Sequence, residues 1–334
     1  MMKKINIWFN HWFSTAYHII NLIKQDNDTA FHIIGTSRNP DSVVKNACDE
    51  WYSEPDTHGR EYIDFCLDFC KEHNIDIFAP RFNQLDVCRY ADEFEKINVK
   101  LLADSYDKIS FLHDKAKAYN LFTEKNIGYV PDYRIVRTAE EFEKGFKELS
   151  ENHEKLCLKF TSDEGATSFR IIDSEPLGPF QRAGNHIDYQ KAVADISWLK
   201  GEKEIMLMPL LSGNEVSADC LQTQDGTIII PRFKTNTRTE YIRHDPRIIS
   251  ACKDFFEKFG LDTPCNIQFI YHNDIPYFLE INTRMSGGIQ LTCMASGVNI
   301  PNIAVNKFLG IQKPWHMPAE EVKITHIETP VILK

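Results

Sequence analysis

The segment NIQFIYHNDIPYFLEINTRMSGG, residues 266–288, constrains the fold more than any other part of the chain. Two apolar runs flank Asn273 and Asp274, a residue pair that favours the tight turn of a β-hairpin. The second run ends at paired glycines, which interrupt regular structure. The segment therefore predicts two antiparallel strands joined by a short turn.

The second strand of this hairpin is expected to have one apolar and one polar face, because successive side chains of a strand point to opposite faces. Tyr277, Leu279 and Ile281 are predicted to face a core. Glu280 and Asn282 then lie on the other face, where they offer oxygen ligands.

Gln268, on the first strand, joins this polar face only in some registers of the hairpin. A two-residue loop separates it from Glu280. A three-residue loop at 273–275 places the two residues opposite each other, and one at 272–274 leaves them diagonal. In those two registers Gln268, Glu280 and Asn282 form an oxygen-donor set with one carboxylate, which suits Mg²⁺. The alternative is an ordinary solvent-exposed face.

The composition limits the class of protein. The chain has 334 residues, enough for two or three domains, and its 43% hydrophobic and 26% charged residues are ordinary for a soluble globular protein. A net charge of -10 argues against nucleic acid or a membrane surface as the main partner, although a local basic groove stays open. We expect no signal peptide and no membrane span. Nine scattered cysteines predict reduced thiols in a cytoplasmic protein.

The first hundred residues alternate between strand and helix patterns. The expected strands are INIWF, AFHIIGT, NIDIFAP and VKLLAD, and REYIDFCLDFCKEH is typical of a helix. This order predicts a parallel sheet with covering helices. The turn NHWFST after the first strand has no glycine, which argues against a dinucleotide site and an oxidoreductase.

From residue 156 onwards hairpins dominate. LCLKF pairs with SFRII in one hairpin, and EVSADCLQTQDGTIIIPRFK forms another with its turn predicted at Asp225-Gly226. Thr138 and Glu141 predict a capping box at a helix start, and the apolar stripe at 248–259 predicts a helix.

Several cations have two interpretations. Lys159 ends a strand beside the loop 161–168, where it would bind phosphate, but a lysine at a strand end is usually solvated. Lys115, taken alone, is typical of a helix surface. Arg232 and Lys234 share one strand face and indicate either an anion site or a ladder of ion pairs.

In their order along the chain, four segments resemble the ATP-grasp superfamily, most closely its carbamoyl phosphate synthase and biotin carboxylase-like branch. They are DKAKAYNLFTEKNIGYVPDY, LCLKFTSDEGATSFRII, IMLMPLLSGNEVSAD and the hairpin at 266–288. The resemblance covers roughly residues 105–312. It implies an α/β and α+β protein with a Rossmann-like pre-ATP-grasp domain at 1–113. A two-lobed ATP-grasp fold would follow at 114–205 and 206–334, with ATP between its lobes.

The resemblance also implies roles for individual residues. Lys115, Lys159 and Lys234 would bind the phosphates of ATP. The backbone groups of Met208 and Leu211 would contact the adenine, and the Glu215 side chain would bind the ribose. Magnesium, as two ions with Mn²⁺ as an alternative, would bind Gln268, Glu280 and Asn282. Arg284 and Lys159 would be catalytic, and the substrate would contact Arg284, Ser286, Gly287 and Gly288.

The sequence departs from the family pattern at a few positions. The phosphate loop keeps Gly165, but Asp163 and Ser168 occupy positions where relatives usually have glycine. Met208 stands where an acidic or amide side chain is common, and Thr283 replaces the usual proline. The first departure weakens the expectation that the loop closes over phosphate.

The implied activity is an ATP- and Mg-dependent ligase that joins a carboxylate to an amine through an acyl phosphate, releasing ADP and phosphate. The alternatives are an ATP-dependent phosphotransferase and a non-catalytic ATP-binding module. The expected partners are a small-molecule acid and amine, and the oligomeric state stays open, with a homodimer as one alternative. Substrate specificity is expected in the N-terminal domain and in residues 173–200.

Overall fold

The computed structural model describes residues 4–163, 167–175, 178, 184–235, 237–317 and 320–333. The chain forms two compact units, each assembled from separate stretches of sequence. The first unit comprises Met1–Phe111, Glu215–Gln268 and Ile281–Lys334, and the second comprises Leu112–Asn214 and Phe269–Glu280. The predicted boundaries at residues 113 and 205 stay predictions.

The first sheet is parallel throughout and has the order β3-β2-β1-β4-β5. Its strands are β1 (Lys4–Asn10), β2 (Ala30–Ser37), β3 (Glu50–Ser53), β4 (Ile77–Ala79) and β5 (Lys100–Leu101). The intervening helices are α1 (Ala16–Ile23), α2 (Gly59–Glu72), α3 (Gln84–Arg89) and α4 (Ala91–Lys96), with a 3-10 turn at Val43–Ala47. The predicted parallel sheet is present, and β3 is a strand that the sequence pattern did not indicate.

The second sheet belongs to the second unit and has the order β6-β10-β7-β8-β9. Two helices precede it in the chain, α5 (Tyr106–His113) and α6 (Lys115–Glu124). Its strands and the helices between them are β6 (Arg134–Val136), α7 (Ala139–Ser150), β7 (Leu156–Phe160), β8 (Arg170–Asp173), β9 (His186–Asp188), α8 (Tyr189–Trp198) and β10 (Ile205–Pro209). The expected hairpin of β7 and β8 is antiparallel, and the capping box at Thr138 is formed.

The third sheet has the order β15-β14-β11-β12-β13-β16. Its strands are β11 (Glu215–Thr223), β12 (Gly226–Lys234), β13 (Thr239–Ile242), β14 (Cys265–His272), β15 (Ile275–Asn282) and β16 (Val322–Thr325). The helices among them are α9 (Pro246–Lys258), α10 (Ile289–Ser296) and α11 (Ile300–Phe308). The apolar stripe predicted near 248–259 is the buried face of α9.

The turn between β11 and β12 lies one residue earlier than predicted. Thr223 pairs with Gly226, so Gln224 and Asp225 form the loop. The Thr223 hydroxyl donates to the Gly226 carbonyl at 2.7 Å and accepts from the Asp225 N–H at 3.2 Å. These bonds close the turn and leave Gly226, at φ 120°, as the first residue of the strand.

The last hairpin has a two-residue loop, because Asn273 and Asp274 both have left-handed backbones between β14 and β15. Tyr277 and Leu279 were expected in the core, and this was wrong: both are only partly buried. The buried apolar side chains Phe278 and Ile281 lie three residues apart, which breaks the two-residue alternation. An extra residue of this kind is typical of a β-bulge.

Each unit has its own apolar core. In the first unit one cluster lies between the parallel sheet and α1 and α11, and a second surrounds the stacked rings of Trp8 and Phe78. In the second unit a cluster lies between α7, α8 and the second sheet. The nine cysteines are all free thiols, as expected, and eight of them are buried. Among the described residues no helix is both long enough and apolar enough to cross a bilayer.

Candidate functional site

The predicted site residues divide between the two units, and each set is described within its own unit. The second unit contains Lys115, Lys159, Met208, Leu211 and Glu280. The first unit contains Glu215, Lys234, Gln268, Asn282, Arg284, Ser286, Gly287 and Gly288.

Lys159 places a partly buried cation beside Glu280 in the second unit. Its ammonium group donates to the Leu279 carbonyl at 3.3 Å and lies 5.4 Å from the ring centre of Tyr119. Burial lowers the pKa of Lys159, and the negative charge of Glu280 partly opposes this shift. The solvated interpretation of Lys159 is therefore wrong, and the second unit brings this lysine close to Glu280.

Lys115 is also buried, contrary to the surface interpretation. It is the first residue of α6, is 8% exposed, and donates to the Asp163 carboxylate at 2.6 Å and the Asp163 carbonyl at 2.5 Å. Burial acts to raise the pKa of Asp163, but hydrogen bonds from Lys115 and Ser168 lower it to about 2. Asp163 is therefore an anion that holds Lys115 in place.

The structure describes the loop predicted to bind phosphate, residues 161–168, only at its two ends. The Ser168 hydroxyl and N–H both donate to the Asp163 carboxylate, and the Phe160 N–H donates to the Ser168 hydroxyl at 2.7 Å. Residues 164–166, including Gly165, lie outside the described residues. The two residues that replace glycine in the family pattern therefore bond to each other.

The predicted adenine segment begins in a buried strand and ends at a sterically constrained glycine. Met208 is buried in β10, opposite Cys157, and the strand ends at Pro209 as expected. Leu211 follows in irregular structure and is partly buried. Gly213 has φ 149°, and a Cβ atom there would overlap the Tyr271 carbonyl oxygen.

The two cations of β12 are both ion-paired in the structure. Lys234 donates to the Glu215 carboxylate at 2.9 Å across the β11–β12 ladder. Arg232, 3% exposed, pairs with Glu240 and lies 3.8 Å from an Asp219 oxygen. Both cations therefore have the ion pairs that one interpretation predicted, and the predicted ribose and phosphate residues Glu215 and Lys234 are neighbours.

Gln268 belongs to a chain of polar contacts in the first unit. Its side-chain N–H donates to the Asn266 carbonyl oxygen at 3.2 Å, and Asn266 in turn donates to Ser217 at 2.9 Å and Asp219 at 2.8 Å. Since the amide nitrogen of Gln268 bonds to Asn266, its oxygen is directed elsewhere. The two-residue turn is the one for which an uninterrupted ladder was predicted to separate Gln268 from Glu280.

Thr292 forms hydrogen bonds to both Asp219 and Arg232, close to residues 286–288, which we call the glycine segment. Its buried hydroxyl donates to Asp219 at 2.6 Å and accepts from Arg232 Nε at 3.0 Å. A Cβ atom at Gly288 would come within 2.5 Å of the Arg232 guanidinium group. Gly288 is therefore needed for the close approach of this cation to the start of α10.

Arg284 and the glycine segment contact the loop that follows β1. The Arg284 guanidinium carbon lies 5.2 Å from the ring centre of Phe13. The Thr15 hydroxyl donates to the Gly287 carbonyl at 2.9 Å. Two predicted substrate residues thus lie beside the carboxyl end of the parallel sheet, which the sequence pattern did not indicate.

The predicted magnesium ligands fit a cation by their chemistry. Gln268, Glu280 and Asn282 are each partly exposed, and they flank the buried residues Ile267 and Ile281. Oxygen donors with one carboxylate are what Mg²⁺ accepts when phosphate and water complete its coordination. Within the described ranges no group of three or more His, Cys, Asp or Glu side chains could hold a metal. The predicted set does not require such a group.

The sequence patterns did not indicate two residues of this region, Tyr119 and Thr292. A signal in the sequence existed only for Tyr119. Tyr119 lies four residues after Lys115, on the same side of α6, so helical spacing relates it to that lysine. Its hydroxyl donates to the Leu279 carbonyl at 3.0 Å. Thr292 carries no such signal, because its partners Asp219 and Arg232 are far away in sequence.

Parts of the chain are similar to known sequences. Residues 201–330 match the family model described as ATP-grasp in the biosynthetic pathway with Ter operon. The carbamoyl phosphate synthase large chain of Methanoculleus marisnigri is 29% identical over 92 residues, which are 26% of this chain. The match spans only 9% of that curated relative.

Solved structures with a similar fold cover nearly the whole chain. The biotin carboxylase domain of Hydrogenobacter thermophilus 2-oxoglutarate carboxylase, solved with MgADP, ADP and bicarbonate, has TM-score 0.72 and 16% identity over 95% of this chain and 72% of that chain. Biotin carboxylase from Campylobacter jejuni also has TM-score 0.72 and 16% identity, over 94% and 72%. L-amino acid ligase from Bacillus licheniformis has TM-score 0.66 and 12% identity, over 92% and 74%. These solved structures therefore share the fold of the chain, and residues 201–330 are similar to an ATP-grasp family.

Proposed function

We propose that the chain is an ATP- and Mg-dependent ligase that joins a small-molecule carboxylate to an amine or similar nucleophile. The observation that carries the proposal is the partly buried ammonium group of Lys159, which bonds to the Leu279 carbonyl of β15 and has a pKa lowered by desolvation in spite of the nearby Glu280. These two residues are the ones that the family resemblance assigns to phosphate and to metal. A buried lysine without a ligand lowers stability, so a functional role explains why it is there.

The remaining roles follow the family resemblance. Lys115, Lys159 and Lys234 bind ATP phosphates, Met208 and Leu211 contact the adenine through backbone groups, and Glu215 binds the ribose. Gln268, Glu280 and Asn282 hold magnesium, as two ions, with Mn²⁺ as a substitute. The Arg284 guanidinium group binds the reacting carbonyl group, and the backbone N–H groups of Ser286, Gly287 and Gly288 bind the substrate carboxylate.

The reaction has two steps. A carboxylate oxygen of the acid attacks the γ-phosphorus, the bond to the bridging oxygen breaks, and ADP leaves. The amine nitrogen then attacks the acyl carbon, the bond to the phosphate oxygen breaks, phosphate leaves, and the nitrogen releases a proton. Lys159 and Arg284 stabilise the charge that moves between these groups, which is the main task of a protein in phosphoryl transfer. Bound magnesium adds neutralisation of phosphate charge.

We also propose a domain assignment for each of the three sheets. We assign the parallel sheet to a Rossmann-like pre-ATP-grasp domain, and the second and third sheets to the two lobes of an ATP-grasp fold. The free buried thiols support a reducing compartment and hence the cytoplasm. The acid, the amine and a homodimeric assembly stay open.

Trapping of the acyl phosphate tests the activity. Pools of small acids are incubated with the purified chain, ATP, magnesium and hydroxylamine, and we expect a hydroxamate together with ADP. K159M should abolish the signal, because a methionine fills the same space without the charge.

The other products identify other functions. A hydroxamate formed with AMP would overturn the acyl-phosphate mechanism. A stable phosphorylated acid formed with ADP would indicate the phosphotransferase. Nucleotide binding without turnover on any acid would indicate the non-catalytic module.

A further inference from the structure

One loop residue, Asp163, occupies most of the binding capacity of the Lys115 ammonium group. An ammonium group has three N–H donors. Two of those on Lys115 go to Asp163, to its carboxylate at 2.6 Å and to its backbone carbonyl at 2.5 Å. Both side chains are almost buried, with 10% and 8% of their surfaces exposed. A carboxylate oxygen therefore already lies on the cation that the family resemblance assigns to a phosphate oxygen.

The far end of the same loop fixes Asp163 in this position. The Ser168 N–H donates to the second carboxylate oxygen of Asp163 at 3.0 Å, and the Ser168 hydroxyl donates to that oxygen as well. Burial acts to raise the pKa of Asp163, but the hydrogen bonds from Lys115 and Ser168 lower it to about 2. Asp163 is therefore ionised at pH 7, and its protonation does not release Lys115.

The backbone at the start of α6 has its donors occupied. The Lys115 N–H donates to the Thr161 carbonyl at 2.8 Å. The next two N–H groups of the helix donate to the Asp114 carboxylate at 2.9 Å and 3.2 Å. A phosphate at Lys115 therefore binds through the ammonium group, where Asp163 already lies.

The charge of Asp163 also acts on the second lysine that the resemblance assigns to phosphate. Burial is the main cause of the lowered pKa of Lys159, and Glu280 partly opposes it. Weaker effects come from Lys115, which lowers this pKa, and from Asp163, which raises it. Asp163 thus offsets the repulsion between the two lysines, and the same negative charge repels a phosphate that approaches them.

We propose that Asp163 is an internal competitor of phosphate, so that a polyphosphate ligand binds Lys115 only after the Asp163 carboxylate leaves it. The two anions compete because the ammonium group has one donor left and because like charges repel each other at this distance. Asp163 then sets the affinity for ATP, since the apparent affinity falls with the fraction of molecules in which Lys115 is released. This inference rests on the proposed function, because that function assigns Lys115 to phosphate.

Asp163→Asn tests the competition, because it removes the charge and keeps the shape of the side chain. The ATP analogue AMP-PNP with magnesium, inorganic tripolyphosphate and adenosine are titrated calorimetrically into the full chain. We expect D163N to bind AMP-PNP and tripolyphosphate about tenfold more tightly than the wild-type chain and adenosine equally well. Asp195→Asn is the matched control, because Asp195 also pairs with a lysine, Lys191 at 3.0 Å, but on the exposed surface. It should leave all three affinities unchanged.

The double variant K115M/D163N shows whether the gain acts through Lys115. It removes both charges and so leaves neither of them buried and unpaired. We expect it to lose the tighter binding of both phosphate probes. If thermal unfolding shows that D163N does not fold, Ser168→Ala decides instead. It removes a bond that holds Asp163 and should tighten the binding of both phosphate probes about twofold or more.

The outcomes separate this inference from the proposed function. Equal or weaker binding of the phosphate probes by folded D163N overturns the inference, and so does a double variant that keeps the gain. Equal or weaker binding by S168A overturns it where D163N does not fold. Tighter tripolyphosphate binding by D163N, with AMP-PNP bound by neither protein, would contradict the proposed function alone.

Discussion

At the scale of single residues, the buried hydroxyl of Thr292 shows how this chain keeps charge in its interior. Asp219, Arg232 and Glu240 are charges that would be costly in an apolar core if they were unpaired. Thr292 lies between the first two and bonds to both of them. The polar contacts continue through Asn266 to Gln268, so a predicted metal ligand is oriented by an internal network.

Thr292→Val should destabilise the fold by about 2 kcal/mol or more, because it keeps the volume but removes one hydrogen bond from Asp219 and one from Arg232. Thr292→Ser keeps the hydroxyl and should lose less than half as much. Urea unfolding of the three proteins measures the difference. Equal stability of the valine and wild-type chains would show that water replaces the hydroxyl.

Lys159→Met should abolish activity without lowering the stability of the fold at pH 7. Burial lowers the pKa of Lys159 in the folded chain. Between this lowered value and the ordinary one the unfolded chain binds more protons, so the contribution of Lys159 to stability rises with pH in that alkaline window. At pH 7 the variant should be unchanged or up to about 1 kcal/mol more stable, and its advantage should shrink as the pH approaches the ordinary lysine value.

Urea unfolding at pH 7 and pH 9, with nucleotide binding measured in parallel, checks the prediction for Lys159. Lys155→Met is the control, since Lys155 is exposed and lies four residues earlier in the chain. A marked loss of stability in K159M at pH 7 would mean that the ammonium group stabilises the fold after all.

At the scale of elements, glycines decide where strands can end and approach one another. Gly213, between β10 and β11, combines a left-handed backbone with direct approach to the carbonyl of Tyr271. Gly226, at the start of β12, has φ 120° but open space around it. A substitution at Gly226 therefore introduces backbone strain alone, whereas one at Gly213 introduces strain together with a steric clash.

Gly213→Ala should destabilise the chain by about 3 kcal/mol or more, because the strain of the backbone adds to displacement of Tyr271. Gly226→Ala should cost only about 1–2 kcal/mol, since it brings strain without a clash. Thermal unfolding compares the two. Similar losses would show that β14 shifts easily at Tyr271.

At the scale of the whole molecule, a nucleotide should stabilise a chain built from two compact units. MgADP at one hundred times its dissociation constant adds about 2.7 kcal/mol to the free energy of unfolding. For a chain of this length we expect a rise in Tm of a few degrees, which EDTA should largely remove.

Glu280→Gln should reduce that rise and lower turnover by about 10²–10³ while leaving the ligand-free Tm nearly unchanged, because Glu280 is only partly buried. Glu257→Gln, on the exposed face of α9, is the control. Scanning fluorimetry with and without MgADP makes the comparison. A full response to MgADP in E280Q would remove Glu280 from the set of metal ligands.

Local patterns in the sequence were sufficient for most elements. The apolar stripe of α9, the capping box at Thr138 and the hairpin of β11 and β12 depend on neighbours a few residues away. The short strand β3 was missed because four residues carry too little periodicity to distinguish a strand from a loop. The exact turn at Gln224-Asp225 was missed because hydrogen bonds from Thr223 determined it.

The sequence by itself determined the order of strands and helices, the oxygen donors of β15 and the resemblance to one superfamily. Only the tertiary structure decided that Lys115 pairs with Asp163, that Arg232 lies beneath Gly288, and that Arg81 and Arg284 share Phe13. The physical reason is the range of the interactions. Periodicity and turns act between residues close in sequence, whereas burial and ion pairing join residues that are brought together only when the chain folds.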